Sequence, residues 1–332
     1  MADKAKLGMT NAELIDTIND GFDSLGSKIS NIEVDENQNR VAVYLNITIP
    51  NTTVTFKNLK GLYKIVWDAW KLDENADSKP YEVLVDKETT EYSHTYERAL
   101  EGENEYWVYL YGVTEIGYQA FKDITFMTNV FFSNKVTLIG DEAFYGCSGL
   151  KNLSVTHSVQ SIGVSAFRNC TGITEATLNF GLVTIYDLAF AGCENMAYIN
   201  IPYSVTSIGE RAFAACYALT DIIIPDSVVT IGKYLFMNCT SLKTVRIGKC
   251  VKEIGYSMFD NVPLEVLFLE PINPPKIDVP SYPLEIPTAA NIVVSYGFGD
   301  NYKKDEYWSR YASQIYSEVL YQGADGYIYQ KE

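Results

Sequence analysis

One spacing recurs along the middle of this chain. Ile116, Ile139, Ile162, Ile185, Ile208, Ile231 and Ile254 stand 23 residues apart, and Phe121, Phe144, Phe167, Phe190, Phe213, Phe236 and Phe259 follow them in the same register. Three residues before each isoleucine lies Val113, Val136, Val159, Leu182, Val205, Val228 or Val251. A fourth column holds Met127, Leu150, Ile173, Met196, Leu219 and Leu242. A unit this small cannot bury its apolar side alone, so the copies must stack and share a continuous core. The period therefore predicts a solenoid of seven 23-residue coils.

The punctuation inside the unit repeats as well. Two residues past each Phe stand Asp123, Gly146, Asn169, Gly192, Ala215, Asn238 and Asn261, mostly types that tolerate positive φ, which marks a turn. Between turns, stretches such as Leu219 to Ile224 and Leu242 to Ile247 alternate apolar and polar residues, as a half-buried strand does. One strand per coil then builds a parallel sheet, roughly 30 Å or more along the axis at about 4.8 Å per strand.

Copies such as Val205-Thr-Ser-Ile208-Gly-Glu-Arg-Ala-Phe213-Ala-Ala-Cys216 and Val159-Gln-Ser-Ile162-Gly-Val-Ser-Ala-Phe167-Arg-Asn-Cys170 resemble the BspA-like, or Treponema pallidum-type, leucine-rich repeat. The resemblance runs from about Val113 to Pro271. It departs at Tyr186, where the family has Gly, so a locally altered turn is expected there. The last copy loses a residue near Val262-Pro263-Leu264, which suits a terminal coil.

Five of the six cysteines, Cys147, Cys170, Cys193, Cys216 and Cys239, share one column. Ile124 and Val262 occupy it in the outer copies, so the column reads as small, apolar and inward-facing, a stack of free core thiols. No C-x-x-C pair points to zinc.

Upstream, Val41 to Ile47, Gly61 to Trp67 and Tyr106 to Tyr111 read as strands of a small β-sandwich over 41–112. Leu62 to Asp68, Ser93-His94-Thr95-Tyr96 and Tyr106 to Gly112 are similar to a PKD-like sandwich, which implies a cap on the first coil. Within 1–40, Thr10-Asn-Ala-Glu13 forms a capping box ahead of Leu14, Ile18, Phe22, Leu25, Ile29 and Ile32, a narrow apolar stripe on a helix. Gly21 and Gly26 weaken that helix by roughly 1 kcal/mol each, so it needs a partner. The stripe either packs on the chain's own sandwich or serves oligomerisation or docking.

Downstream, Pro271-Ile-Asn-Pro-Pro275 reads as a proline-rich exit where strand pairing stops. Asn291 to Tyr296 then reads as a strand, and Asp305 to Tyr316 as an amphipathic helix with Tyr307, Tyr311 and Ile315 on one side. Leu320 to Tyr329 has the turn chemistry of a hairpin, and 272–332 as a whole resembles the closing segment of BspA-like proteins. The fold class is thus mainly β: helix, sandwich, solenoid over 113–271, and a strand-helix cap.

With 42 acidic and 26 basic residues the net charge is −16, which argues against a nucleic-acid binder. No window approaches the roughly 18 to 20 apolar residues of a spanning helix, so no membrane insertion is expected. Met1 to Gly8 lacks the apolar core of a secretory leader. The two histidines, His94 and His157, read as structural and as part of an exposed turn. No nucleophile elbow, zinc helix, P-loop or dinucleotide motif is present. Asp73 to Asp77 lacks the ligand spacing of a calcium loop. The expectation is no catalytic residue, no metal and no cofactor.

A binding surface is better supported. Side chains alternating with the buried column form two outward rows, and from them Phe131, Asn152, Glu175, Thr177, Tyr198, Asn200, Asp221, Ile223 and Arg246 are the candidate ligand-binding face. They vary in type while the core columns do not. Exposed aromatic and aliphatic anchors among polar neighbours suit a protein or glycan on a cell surface. BspA-like proteins resemble adhesins, and they usually carry a leader or wall anchor. The combined reading is a non-enzymatic recognition protein, first a phage-tail or tail-like particle component on a virion, as a homo-oligomer, trimer favoured, or docked to a larger particle. The alternatives are a bacterial cell-surface or secreted adhesin whose leader has been removed, and a cytosolic interaction scaffold.

Overall fold

A computed structural model describes residues 40–49, 52–67, 81–85, 90–96, 105–317, 319–323 and 326–329, all within the unit Asn39–Glu332. The stripe from Leu14 to Ile32 and the acidic run Asp73 to Asp77 lie outside the described residues.

The solenoid is present, and each coil contributes two strands rather than the single one expected. Two-residue strands, Glu115–Ile116, Leu138–Ile139, Ser161–Ile162, Thr184–Ile185, Ser207–Ile208, Thr230–Ile231, Glu253–Ile254 and Lys276–Ile277, form one parallel ladder with isoleucine against isoleucine. A strand of two residues shows no alternation, which is why periodicity missed it. The longer strands form the expected parallel sheet, but in two parts. Asn152–Val155, Glu175–Leu178 and Tyr198–Asn200 make one, and Asp221–Ile224, Thr244–Ile247, Val266–Leu269, Asn291–Val294 and Ile315–Ser317 the other.

Two prolines account for the break. Where Asn179 and Gly248 donate their N–H to the preceding coil, at 3.2 and 2.9 Å, Pro202 and Pro225 have none to give. Asn200 compensates: its side-chain amide donates to the Leu178 carbonyl and accepts the Leu178 N–H, both at 2.8 Å. One coil on, Ile223 stands in that position and has no such group. The ladder is interrupted there.

A third set of bonds runs through the turn. Asp123, Asn169 and Asn238 have positive φ as expected, and so do Gln119, Leu188, Arg211 and Tyr234, four residues earlier in their coils. With both positions in the left-handed region, alternate N–H groups face the next coil: Gln119 bonds the Asp141 carbonyl at 3.0 Å, Phe121 that of Ala143 at 2.7 Å, and Asp123 that of Tyr145 at 2.7 Å. Tyr186, expected to alter its turn, keeps the same bond as the glycines, its N–H reaching the Ile162 carbonyl at 3.0 Å.

The core is the set of columns. The seven phenylalanines are fully buried and stack ring on ring, from 4.9 Å between Phe121 and Phe144 to 6.1 Å between Phe236 and Phe259. The five column cysteines are buried and unpaired. Each thiol reaches a phenylalanine carbonyl of the preceding coil, Cys147 to Phe121 at 3.0 Å through Cys239 to Phe213 at 3.1 Å. The column therefore supplies hydrogen-bond donors as well as volume, a role its residue type alone did not reveal.

The sandwich sets a five-stranded antiparallel sheet against the pair Thr52–Lys57 and Glu91–Tyr96. Its core of Val41, Val43, Leu45, Ile65, Val108 and Leu110 is fully buried. It meets the first coil three ways: Phe56 lies edge-on to Phe121 at 5.2 Å, Leu59–Lys60 pairs antiparallel with Glu115–Ile116, and Arg40–Asn46 pairs antiparallel with Met127–Phe131.

At the other end the expectation that prolines stop the pairing is corrected, since Lys276–Ile277, Asn291–Val294 and Ile315–Ser317 all continue the parallel ladders. Proline removes a donor and leaves an acceptor. Here the proline carbonyls hold the closing segment: Pro271 accepts from the Tyr302 hydroxyl at 2.7 Å, Pro275 from Trp308 Nε1 at 2.9 Å and Pro287 from Gln314 Nε2 at 2.8 Å. The helix expected over Asp305 to Tyr316 is instead an α-helix at Gly299–Lys304, a 3₁₀ helix at Trp308–Gln314 and a strand. Tyr307, Tyr311 and Ile315 are nevertheless buried. Val319–Gly323 and Gly326–Tyr329 pair as a hairpin.

Candidate recognition face

On the long strands from Asn152–Val155 to Val266–Leu269 inward and outward residues alternate, because successive side chains of a strand point to opposite faces. Leu153 and Val155 are buried while Asn152 and Ser154 are exposed, and Ile222 and Ile224 are buried while Asp221 and Ile223 are exposed. Parallel pairing in register sets Asn152, Glu175 and Tyr198 side by side, and likewise Ser154, Thr177 and Asn200. Beyond the break, Asp221, Thr244 and Val266 align, as do Ile223, Arg246 and Phe268. The rows read from the sequence are therefore rows in space within each sheet.

Their members are not equally available. Phe131 is the one that leaves the face: its strand pairs with the sandwich, opposite Ala42, and its ring stacks on Trp107 at 5.8 Å. The reason is position, since the first coil has no coil before it and takes an antiparallel neighbour instead. Asn200 spends its amide on Leu178. Arg246 bonds Glu270 at 2.5 Å and lies 5.5 Å from the Phe268 ring centre. Asn152, Glu175, Asp221 and Ile223 are exposed, and Thr177 and Tyr198 are half-buried. Burial, with the Glu175 carboxylate second, raises the Tyr198 phenol above its ordinary value.

Sequence reasoning missed the corner that follows the strand. Phe180 and Tyr203, one coil apart, are 58% and 66% exposed and their rings lie 5.1 Å apart. They share a column with Asn134, His157, Asp226 and Lys249, a mixture that hides two adjacent aromatics. Val183 is exposed beside them in sequence.

The chemistry available is that of a surface. His94 stacks on Trp67 at 4.9 Å and meets Tyr96 edge-on at 4.7 Å, and His157 is exposed on its corner. Burial pushes the Cys147 and Cys193 thiols up to about 12 and raises Cys170 and Cys216 well above the ordinary thiol value, so none of the four offers a thiolate near neutral pH. Cys250 is exposed. Among the described residues no group of three or more His, Cys, Asp or Glu could hold a metal ion. Nor, among them, is any helix long and apolar enough to cross a membrane.

The family model described as the BspA type leucine rich repeat region, in six copies, matches residues 107–219 and 171–274. No curated protein matches the chain. Among solved structures, the T. pallidum leucine-rich repeat protein is 34% identical over 40% of this chain and 65% of that one, with a TM-score of 0.37. A leucine-rich cell surface protein of Faecalibacterium prausnitzii A2-165 is 23% identical over 63% of this chain and 44% of that one, TM-score 0.38. The pneumococcal vaccine antigen PcpA is 16% identical over 61% of this chain and 54% of that one, TM-score 0.41. The chain spans less than two thirds of each of these three structures.

Proposed function

Because this chain belongs to the BspA-type leucine-rich repeat family, we propose that it is a non-enzymatic recognition protein of the cell-surface, adhesive kind, binding a protein or glycan partner through the outward rows of its long strands. One observation carries the reading. The columns behind the sheet repeat in type from coil to coil, whereas Asn152, Glu175, Tyr198 and Asp221 in front of it do not. A scaffold held constant behind a varied face is how a solenoid presents an extended binding surface.

The experiment is retention of fluorescently labelled protein on intact bacterial and mammalian cells, measured by flow cytometry. Thr177→Arg with Ile223→Arg puts bulk and charge on the face at half-buried and exposed sites. The expected outcome is retention on at least one cell type, lost in the double variant with its melting temperature unchanged. Equal retention of the variant would show that contact is made elsewhere. The tail-particle reading rests on the stripe of Leu14, Ile18, Phe22, Leu25, Ile29 and Ile32. It expects a closed oligomer that becomes a monomer when residues 1–32 are removed, and light scattering on both forms decides it.

A further inference from the structure

The part of the face around the sheet break differs from the rest of the molecule. Three exposed apolar side chains lie on the three consecutive coils that span it: Ile223, 51% exposed, at the start of the second sheet, and the Phe180 and Tyr203 pair at the corner into which the first sheet leads. Apolar anchors on a solvated surface are the usual core of a binding patch. Glu175 and Asp221, in the outward row that also holds Tyr198, are both exposed. Asp221 accepts the neighbouring Thr220 hydroxyl at 2.8 Å, and among the described residues neither carboxylate has a lysine or arginine within ion-pair distance.

Glu142 pairs with Lys122, Asp226 with Lys249 and Glu270 with Arg246, whereas Glu175 and Asp221 keep their charge open to a partner. Two such carboxylates on the strand row and two exposed rings at the corner then belong to the same run of coils, in a protein of net charge −16. Like charges at a contact cost several kcal/mol and opposite charges speed the encounter.

We infer that this patch docks a polypeptide segment that is basic and carries large apolar side chains, its lysines or arginines meeting Glu175 and Asp221 and its apolar groups covering Phe180, Tyr203 and Ile223. The assignment rests on the reading of the long-strand face as the contact surface, and narrows it from any partner to one chemistry.

The test is fluorescence anisotropy of the full chain with three fluorescein-labelled peptides of equal length: one of Arg, Lys, Leu and Trp, one in which Glu and Asp replace the cations, and one in which Ser replaces Leu and Trp. The first should bind about tenfold or more tighter than either of the others, and weaken on raising salt. Glu175→Gln with Asp221→Asn, and separately Phe180→Ala with Tyr203→Ala, should each weaken it by about tenfold; all four side chains are on the surface, so folding is not at risk. Equal binding of the serine peptide would reduce the effect to bulk charge and overturn the inference. So would indifference to the Gln and Asn variant, or displacement of the peptide from the patch by a neutral oligosaccharide alone, which would make it a sugar surface. Cell retention separates the two readings. If the arginine variant loses retention while the basic peptide fails to bind, only this inference falls; if it keeps retention, the choice of face falls too.

Discussion

Within one coil the chain keeps two opposite disciplines. Phe190 and Cys193 sit in the turn and are fully buried, the ring stacked between Phe167 at 5.4 Å and Phe213 at 5.8 Å, the thiol bonded to the Phe167 carbonyl at 3.2 Å. On the outward row, Glu175, Tyr198 and Asp221 share a position and no single residue type. A residue packed between copies of itself can only be what its neighbours are, because a change in volume leaves a hole in the stack. A residue facing solvent answers to whatever binds, or to nothing.

Removing a ring should expose that contrast most strongly. Phe190→Ala deletes a fully buried side chain held between two copies, and should cost about 3 to 5 kcal/mol, read as a large fall in the denaturant midpoint. A melting curve within error of the parent would mean that the column is not the core.

Alkaline pH tests the inner side in a second way. Burial holds Cys147 and Cys193 protonated up to about 12, whereas in the unfolded chain they ionise near about 8.5. Their contribution to stability is therefore complete below the unfolded value and is lost as pH rises through the window up to about 12. Denaturation followed between those limits should show the slope, and Cys193→Ala should flatten it while lowering the starting stability. At neutral pH a thiol reagent should modify Cys250 alone in the folded protein and all six cysteines after unfolding. Modification of a column cysteine in the native state would contradict its burial.

What was legible follows the same division. Columns repeat, so the solenoid, its inward thiols and the turn positions at Asp123 and Asn169 could be read without a structure. The short strands could not, since two residues carry no period. Gln119, Leu188 and Arg211 gave no sign of their left-handed backbone either, because that conformation is imposed by the bonds to the next coil and not by the side chain. The prolines after residue 270 show their missing donors in the sequence, and not the carbonyls that accept from Tyr302, Trp308 and Gln314. Tyr302→Phe, which removes the hydroxyl bonded to the Pro271 carbonyl, tests the other half of that account, and should cost about 1 to 2 kcal/mol in thermal unfolding; no loss would mean that the carbonyl is satisfied without it.

For the face, the sequence located rows and could not rank their members. Phe131 and Ser154 differ by one coil in the pattern, yet only the first has a strand of the sandwich alongside it. Asn200 and Ile223 hold equivalent positions, yet only Asn200 substitutes for a missing backbone donor. The smallest predicted effect follows from that distinction. Glu175→Gln with Asp221→Asn should leave the melting curve nearly unchanged, within about 0.5 kcal/mol, because neither carboxylate is paired in the fold. Asn200→Ala, in the sheet that holds Glu175 and equally polar, should cost about 1 to 3 kcal/mol by leaving the Leu178 groups without partners. If the carboxylate pair proved as costly as Asn200, Glu175 and Asp221 would belong to the scaffold, and the patch would lose the charge that selects its partner.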